Sequence, residues 1–182
     1  MDSPNNVEFS IKKKEDAKSF LSRFVILLLC FVPAFGMMIA FASGFTPGMM
    51  LMPLTLVGGI LSFIYFKRFT KVEYEYVIMS GEFTVSAIYD NKSRKDLIKG
   101  IKVSAMHKVV PYRTNERLLD APEIKHVIFY CSDLEHPDLY LAIYDDEKNG
   151  RTALVFNSSR KLMQIMKFYN SLNVTLKNDF LI

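Results

Sequence analysis

Val72–Tyr89 reads VEYEYVIMSGEFTVSAIY. In its first half Glu73 and Glu75 alternate with Tyr74 and Tyr76. In its second half Phe83, Val85 and Ala87 fall on one face. A period of two is the signature of a strand, because successive side chains point to opposite faces. Ser80-Gly81 between the halves is a two-residue hairpin signal. The stretch therefore predicts an antiparallel β-hairpin, and the rest of the chain is read outward from it.

Toward the carboxy terminus the same pattern recurs. Asp90-Asn91-Lys92-Ser93 predicts a turn. Arg94–Ile98 and Ile101–Val110 predict two further strands around Gly100. Pro111 to Pro122 is polar and irregular, with a short helical turn expected at Asn115–Leu119. Ile124–Cys131 (IKHVIFYC), Leu139–Tyr144 (LYLAIY) and Arg151–Phe156 (RTALVF) predict strands, with a turn at Asp145–Gly150. The period then changes. Leu162, Ile165, Met166, Tyr169 and Leu172 recur at three and four, one face of an amphipathic helix. Asn157, Ser158 or Ser159 is placed to cap it. About seven short strands and one helix predict an antiparallel sheet or partly open barrel, with the helix over its open side.

Toward the amino terminus the sequence is of another kind. From Phe24 to Phe66 no charged side chain occurs. A membrane span needs ~20 apolar residues to cross a bilayer core. Phe24–Ala42 and Met49–Phe66 each approach that length, and Ser43–Gly48 between them is rich in turn residues. The expectation is a transmembrane helical hairpin, kinked near Pro33 and Pro53. Gly36, Ala40 and Gly44, and likewise Gly58 and Ser62, recur every fourth residue. Small residues at that spacing let helix backbones approach, so these five are the expected packing positions within the membrane. Lys12, Lys13, Lys14, Lys18 and Arg23 precede the stretch; Lys67, Arg68 and Lys71 follow it. Basic flanks stay on the inner side. This predicts a multi-pass protein of the plasma membrane with both termini cytoplasmic. The expected organisation is a cytoplasmic flank over 1–23, a hairpin over 24–66 and a cytoplasmic domain over 67–182.

The formal charge of +4 lies on those flanks, since residues 72–182 carry as many acidic as basic side chains. Many aromatic and β-branched residues exclude a disordered chain, and two cysteines exclude a disulfide-dense scaffold.

The order of elements resembles a pleckstrin-homology-like domain. The whole layout also resembles an uncharacterised bacterial family of two-span membrane proteins with a cytoplasmic domain of unknown function. The resemblance is carried by the two apolar spans, Lys67-Arg68, Glu73-Tyr74-Glu75-Tyr76 and Ser80-Gly81-Glu82. The basic Lys92–Lys95 turn and Val155-Phe156-Asn157 ahead of the helix also carry it. It implies a seven-stranded, two-sheet barrel capped by a helix, so the expected class is α+β. It implies no catalytic residue, and a fold alone does not license a function.

Sites of chemistry are sparse. Cys30 and Cys131 cannot make a paired metal-ligand set. His107, His126 and His136 are scattered; His136 lies near Cys131, Asp133, Glu135 and Asp138 in a segment read as a solvated loop. Asp145–Gly150 matches the first half of a calcium loop, but Phe156 stands where a bidentate Glu is needed, so it is read as a hairpin turn. The chain has none of the motifs GxSxG, HExxH, GxxxxGK[ST] or GxGxxG. No catalytic residue, metal ligand or cofactor is expected. Lys67, Arg68, Lys71, Lys92, Arg94 and Lys95 are the expected contacts to anionic lipid. No basic–aromatic array suggests nucleic acid. The expected function is a non-enzymatic, membrane-anchored adaptor for an unidentified protein partner, with anionic-lipid binding as the alternative.

Overall fold

The computed structural model describes residues 6–14, 72–89 and 93–177, together with 21, 24–25, 28, 31, 35–36, 38–39, 42, 44, 53, 57–61 and 64. Two compact units result, one from residues 1–14 with 72–182 and one from residues 15–71.

The first unit is built around the predicted hairpin. Strands β2 (Val72–Met79) and β3 (Glu82–Tyr89) pair antiparallel, with Met79 opposite Glu82. Ser80 and Gly81 both have positive φ, 53° and 82°. A two-residue loop with both centres left-handed has the twist the flanking strands need. β4 (Ser93–Lys102) adds to β3, with register shifts near Val85. On the other side of β2 lies β1 (Val7–Lys12), whose Val7, Phe9 and Ile11 stand opposite Ile78, Tyr76 and Tyr74. The segment read as a flank is thus a strand of the domain. Its VEFSIK alternation carries the same period-two signal as β2, but the adjoining lysines drew it into the flank.

The second sheet has the order β5-β7-β8-β6, from β5 (Lys108–Pro111), β6 (His126–Tyr130), β7 (Leu139–Asp146) and β8 (Gly150–Asn157). β6 runs parallel to β8, and the other pairs are antiparallel. Gly100 sits within β4, so the two strands expected around it are one. A 3-10 turn, Val103–Ala105, leads to β5 instead. A second 3-10 segment, Glu116–Asp120, falls where a helical turn was expected. The Ser159 hydroxyl accepts from the Leu162 amide at 3.3 Å at the start of α1 (Arg160–Tyr169), and the tail after it closes the domain, with Val174 bridging Val109 of β5.

The two sheets face each other across Tyr74, Tyr76, Ile78, Phe83 and Val85 on one side and Tyr140, Ala142, Leu154 and Phe156 on the other. Leu162, Met163 and Met166 of α1 join the same core. The opposite face of β7 and β8 is also buried, through Leu139, Leu141, Ala153 and Val155, beneath Tyr112, Leu118 and Ile124. Burial on both faces explains why LYLAIY reads as an unbroken apolar run. Leu172 was counted on the apolar face of the helix, yet it lies past the helix end and is 93% exposed.

Tyr76 joins the sheets. Its hydroxyl donates to the Tyr130 carbonyl at 2.7 Å and lies 3.4 Å from the Asn157 amide that donates to it. Burial pushes the Tyr76 phenol well above its ordinary range. The ladders do not run from one sheet into the other, so the expected antiparallel barrel or sandwich of about seven strands is corrected to two four-stranded sheets, not closed, with one parallel pair.

The transmembrane hairpin is corrected as well. Among the described residues no helix is long and apolar enough to cross a membrane. The α+β class with a helical hairpin ahead of a barrel gives way to a mostly β domain. The multi-pass placement with both termini cytoplasmic falls with it. A run without charge removes an obstacle to burial, but spanning needs an unbroken helix of ~20 residues. Most of Phe24–Ala42 and Met49–Phe66 lies outside the described residues. Within residues 15–71 the described positions are helical except Gly44, a turn residue with φ +86°. Leu21, Phe24, Leu28, Phe31 and Phe35 among them are exposed and follow one another at three or four residues.

Candidate functional site

The open side of the first unit holds a cleft of about 700 Å³. One wall is β4 from Leu97 to Lys102, and the other is the β7–β8 turn from Tyr144 to Asn149. Ala105 and Ile128 complete it. The wall positions follow from local sequence. β4 is the last strand of its sheet, so no described strand covers its outer edge. Gly100, with φ +68°, lets the strand bend there, and its amide donates to the Thr84 hydroxyl at 3.2 Å. The opposing turn closes on Gly150, with φ +71°. It is held by the Asp146 carboxylate, which accepts from the Asn149 amide at 3.1 Å and from its side chain at 2.6 Å.

Half-buried apolar residues, among them Ile98, Ile101 and Ile128, line the cleft, and charged residues ring it. Beside it runs a chain of ion pairs. His107 Nε2 lies 2.6 Å from Asp145 Oδ2, Arg151 Nε 3.2 Å from Asp145 Oδ1, and Arg151 Nη1 2.8 Å from Glu123 Oε2. The hydrogen bond from His107, and then that from Arg151, hold the Asp145 carboxyl below the ordinary carboxylate range. Exposed pairs of this kind add little stability. They do fix the turn that forms the second wall.

Of the expected lipid contacts, Arg94 and Lys95 are among the described residues. Lys67, Arg68, Lys71 and Lys92 lie outside the described residues. Arg94 is engaged: its Nη2 stands 2.6 Å from Glu75 Oε2, and its Nε 3.3 Å from the Ser86 hydroxyl and 3.8 Å from Asp96 Oδ1. Lys95 is exposed on β4. Of the expected packing positions, Ala40 and Ser62 lie outside the described residues. At Gly36, Gly44 and Gly58 no described atom comes within 4 Å of where a Cβ would stand.

Among the described residues no group of three or more His, Cys, Asp or Glu is placed to hold a metal ion. Cys131 is a free thiol, buried, and pushed up to about 11 by that burial. A thiol so shifted is a poor nucleophile. Asp145 of the calcium-like segment is taken by His107 and Arg151.

Sequence reading missed the cleft, because its walls come from different sheets and lie far apart in the chain. The one available signal was the run of lysines along Ser93–Lys102, which was read for lipid rather than for a strand edge.

A family model described as Bacterial PH-like domain (DUF6106) matches residues 5–176. The match begins ahead of β1 and spans both sheets and α1. No curated protein matches the chain, and no solved structure does.

Proposed function

We propose, for a chain that belongs to the bacterial PH-like domain family, a non-enzymatic interaction module that takes an extended segment of a protein partner along β4. One observation carries the reading. β4 is a long edge strand that borders an apolar-floored cleft on the open side of the domain. An edge strand turns every second N–H and C=O away from its neighbour, so it offers a ladder to an incoming strand. The cleft beside it gives that strand's side chains a place to lie. Its volume falls in the range of clefts that hold ligands.

Anionic-lipid binding is the weaker reading, because Arg94 is already committed to Glu75 and Asp96.

The test places a photo-activated crosslinking residue at Ile101 on the cleft wall and, separately, at Arg117 in the 3-10 segment away from it. Both full-length variants are irradiated in growing cells. A discrete adduct from position 101 that is missing from position 117 is the expected result. No adduct from 101, or the same adducts from both positions, would overturn the reading.

A further inference from the structure

The charges along β4 identify what kind of segment fits its edge. Lys95, Lys99 and Lys102 are exposed along the strand. Among the described residues none of the three makes a side-chain hydrogen bond or ion pair, in contrast to Arg94 on the same strand. Lys148 stands across the cleft in the β7–β8 turn. The acidic residues of that turn are partly spoken for: Asp145 by His107 and Arg151, and Asp146 by Asn149. Asp96 on β4 stands beside Arg94, Glu82 is opposite Lys102 and Glu147 is in the turn, but the exposed side chains from Lys95 to Lys102 are otherwise cations.

Two occupants can be compared on that basis. A second copy of the chain pairing β4 to β4 would set lysines against lysines, and like charges directly opposite are unfavourable in a sheet. Edge lysines are a recognised means of preventing such self-pairing. An acidic strand would meet each lysine with an opposite charge, which is favourable at the same positions. From this we infer that the β4 edge accepts an acidic, extended peptide segment, with carboxylates in reach of Lys95, Lys99 and Lys102. This rests on the docking reading above and adds the chemistry of the partner.

The probes are synthetic peptides of equal length, one alternating Glu with Val, one Lys with Val and one Thr with Val. Each is titrated into the full chain, and amide hydrogen exchange is read across β4. The Glu–Val peptide is expected to protect β4 amides about tenfold more tightly than the Thr–Val peptide, and added salt should erase the difference. The variant K95E/K99E/K102E, with unchanged exchange in β2 and β7 as proof of folding, should prefer the Lys–Val peptide. If no peptide protects β4, the docking reading itself fails. If all three protect it equally, or the variant still prefers Glu–Val, docking stands and the acidic specificity is overturned. If the variant does not fold, the salt dependence of the unaltered chain decides in the same way.

Discussion

At the scale of single residues, Asn170 shows how much one polar side chain can organise. It caps α1, with its own amide donating to Met166 at 2.9 Å. Its side-chain nitrogen donates to the carbonyls of Val103 and Met106, each at 2.9 Å, and its side-chain oxygen accepts from the Asn173 amide at 3.3 Å. The helix end, the 3-10 turn after β4 and the closing tail are tied at one point. Val103 and Met106 are fully buried; without Asn170 the Val103 carbonyl keeps only the Met106 amide at 3.2 Å and the Met106 carbonyl only the Asn173 side chain at 3.3 Å. Asn170→Ala should cost about 2–3 kcal/mol, read as a lower urea midpoint with an unchanged slope. A loss within ±0.5 kcal/mol, the range of an ordinary surface substitution, would show that the two bonds do not hold the turn. Nothing local in the sequence marks Asn170, because its partners lie on elements far away in the chain.

At the scale of elements, the face of the first sheet turned away from the core is more closed than its pattern implies. Alternation put Glu73 and Glu75 toward water, and the register keeps Glu75 off the core, opposite Ser10 and Ser86. Yet Glu75 is only 4% exposed. β1 brings Glu8 beside it, β3 brings Ser86, and β4 brings Arg94 and Asp96. Burial, then a hydrogen bond with Glu8, push the Glu75 carboxyl above its ordinary value; Arg94 pulls against them, and the charges of Glu8 and Asp96 add to the rise. An acid raised in the folded state contributes stability below its unfolded value and loses it as pH rises through the folded one. Glu75→Gln does not ionise. Its stability relative to the unaltered chain should therefore grow as pH rises from acid toward neutral, followed by thermal melting at each pH. A gap that stays constant or shrinks would mean that Glu75 is ionised at no cost. The strand itself was legible from its period; the burial of its polar face was not, since three other strands create it.

At the scale of the whole molecule, the domain is continuous in space and divided in sequence. The chain leaves the sheet after β1 and returns at β2, where the Lys13 amide donates to the Val72 carbonyl at 2.8 Å. The Lys14 amide donates to Ser132 at 3.0 Å, and its ammonium pairs with Asp133 at 2.7 Å. The two ends of residues 15–71 therefore meet as the ends of a hairpin loop do. Replacing 15–71 with a short Gly/Ser turn should leave a domain that unfolds cooperatively with native exchange protection in β2, β7 and β8. Residues 72–182 alone should not, because β2 would lose β1 on one side, and Phe9 would leave the ring of Tyr76. Equal behaviour of the two would show β1 to be dispensable.

Sequence alone determined the parts whose signal is local. Period-two alternation around Ser80-Gly81, the late apolar strands and the amphipathic helix after Asn157–Ser159 all follow from backbone geometry and local burial pattern. It also determined the shortage of catalytic and metal-binding motifs. Only the tertiary structure decided that β1 belongs to the sheet, that β6 pairs parallel to β8, that Arg94 is spent on Glu75, and that β4 borders an open cleft. These are pairings between distant segments. Their free energy depends on which strands meet, and residue order records that only indirectly. The uncharged stretch marks the same boundary: it states what the side chains avoid, and leaves to the fold what the backbone does.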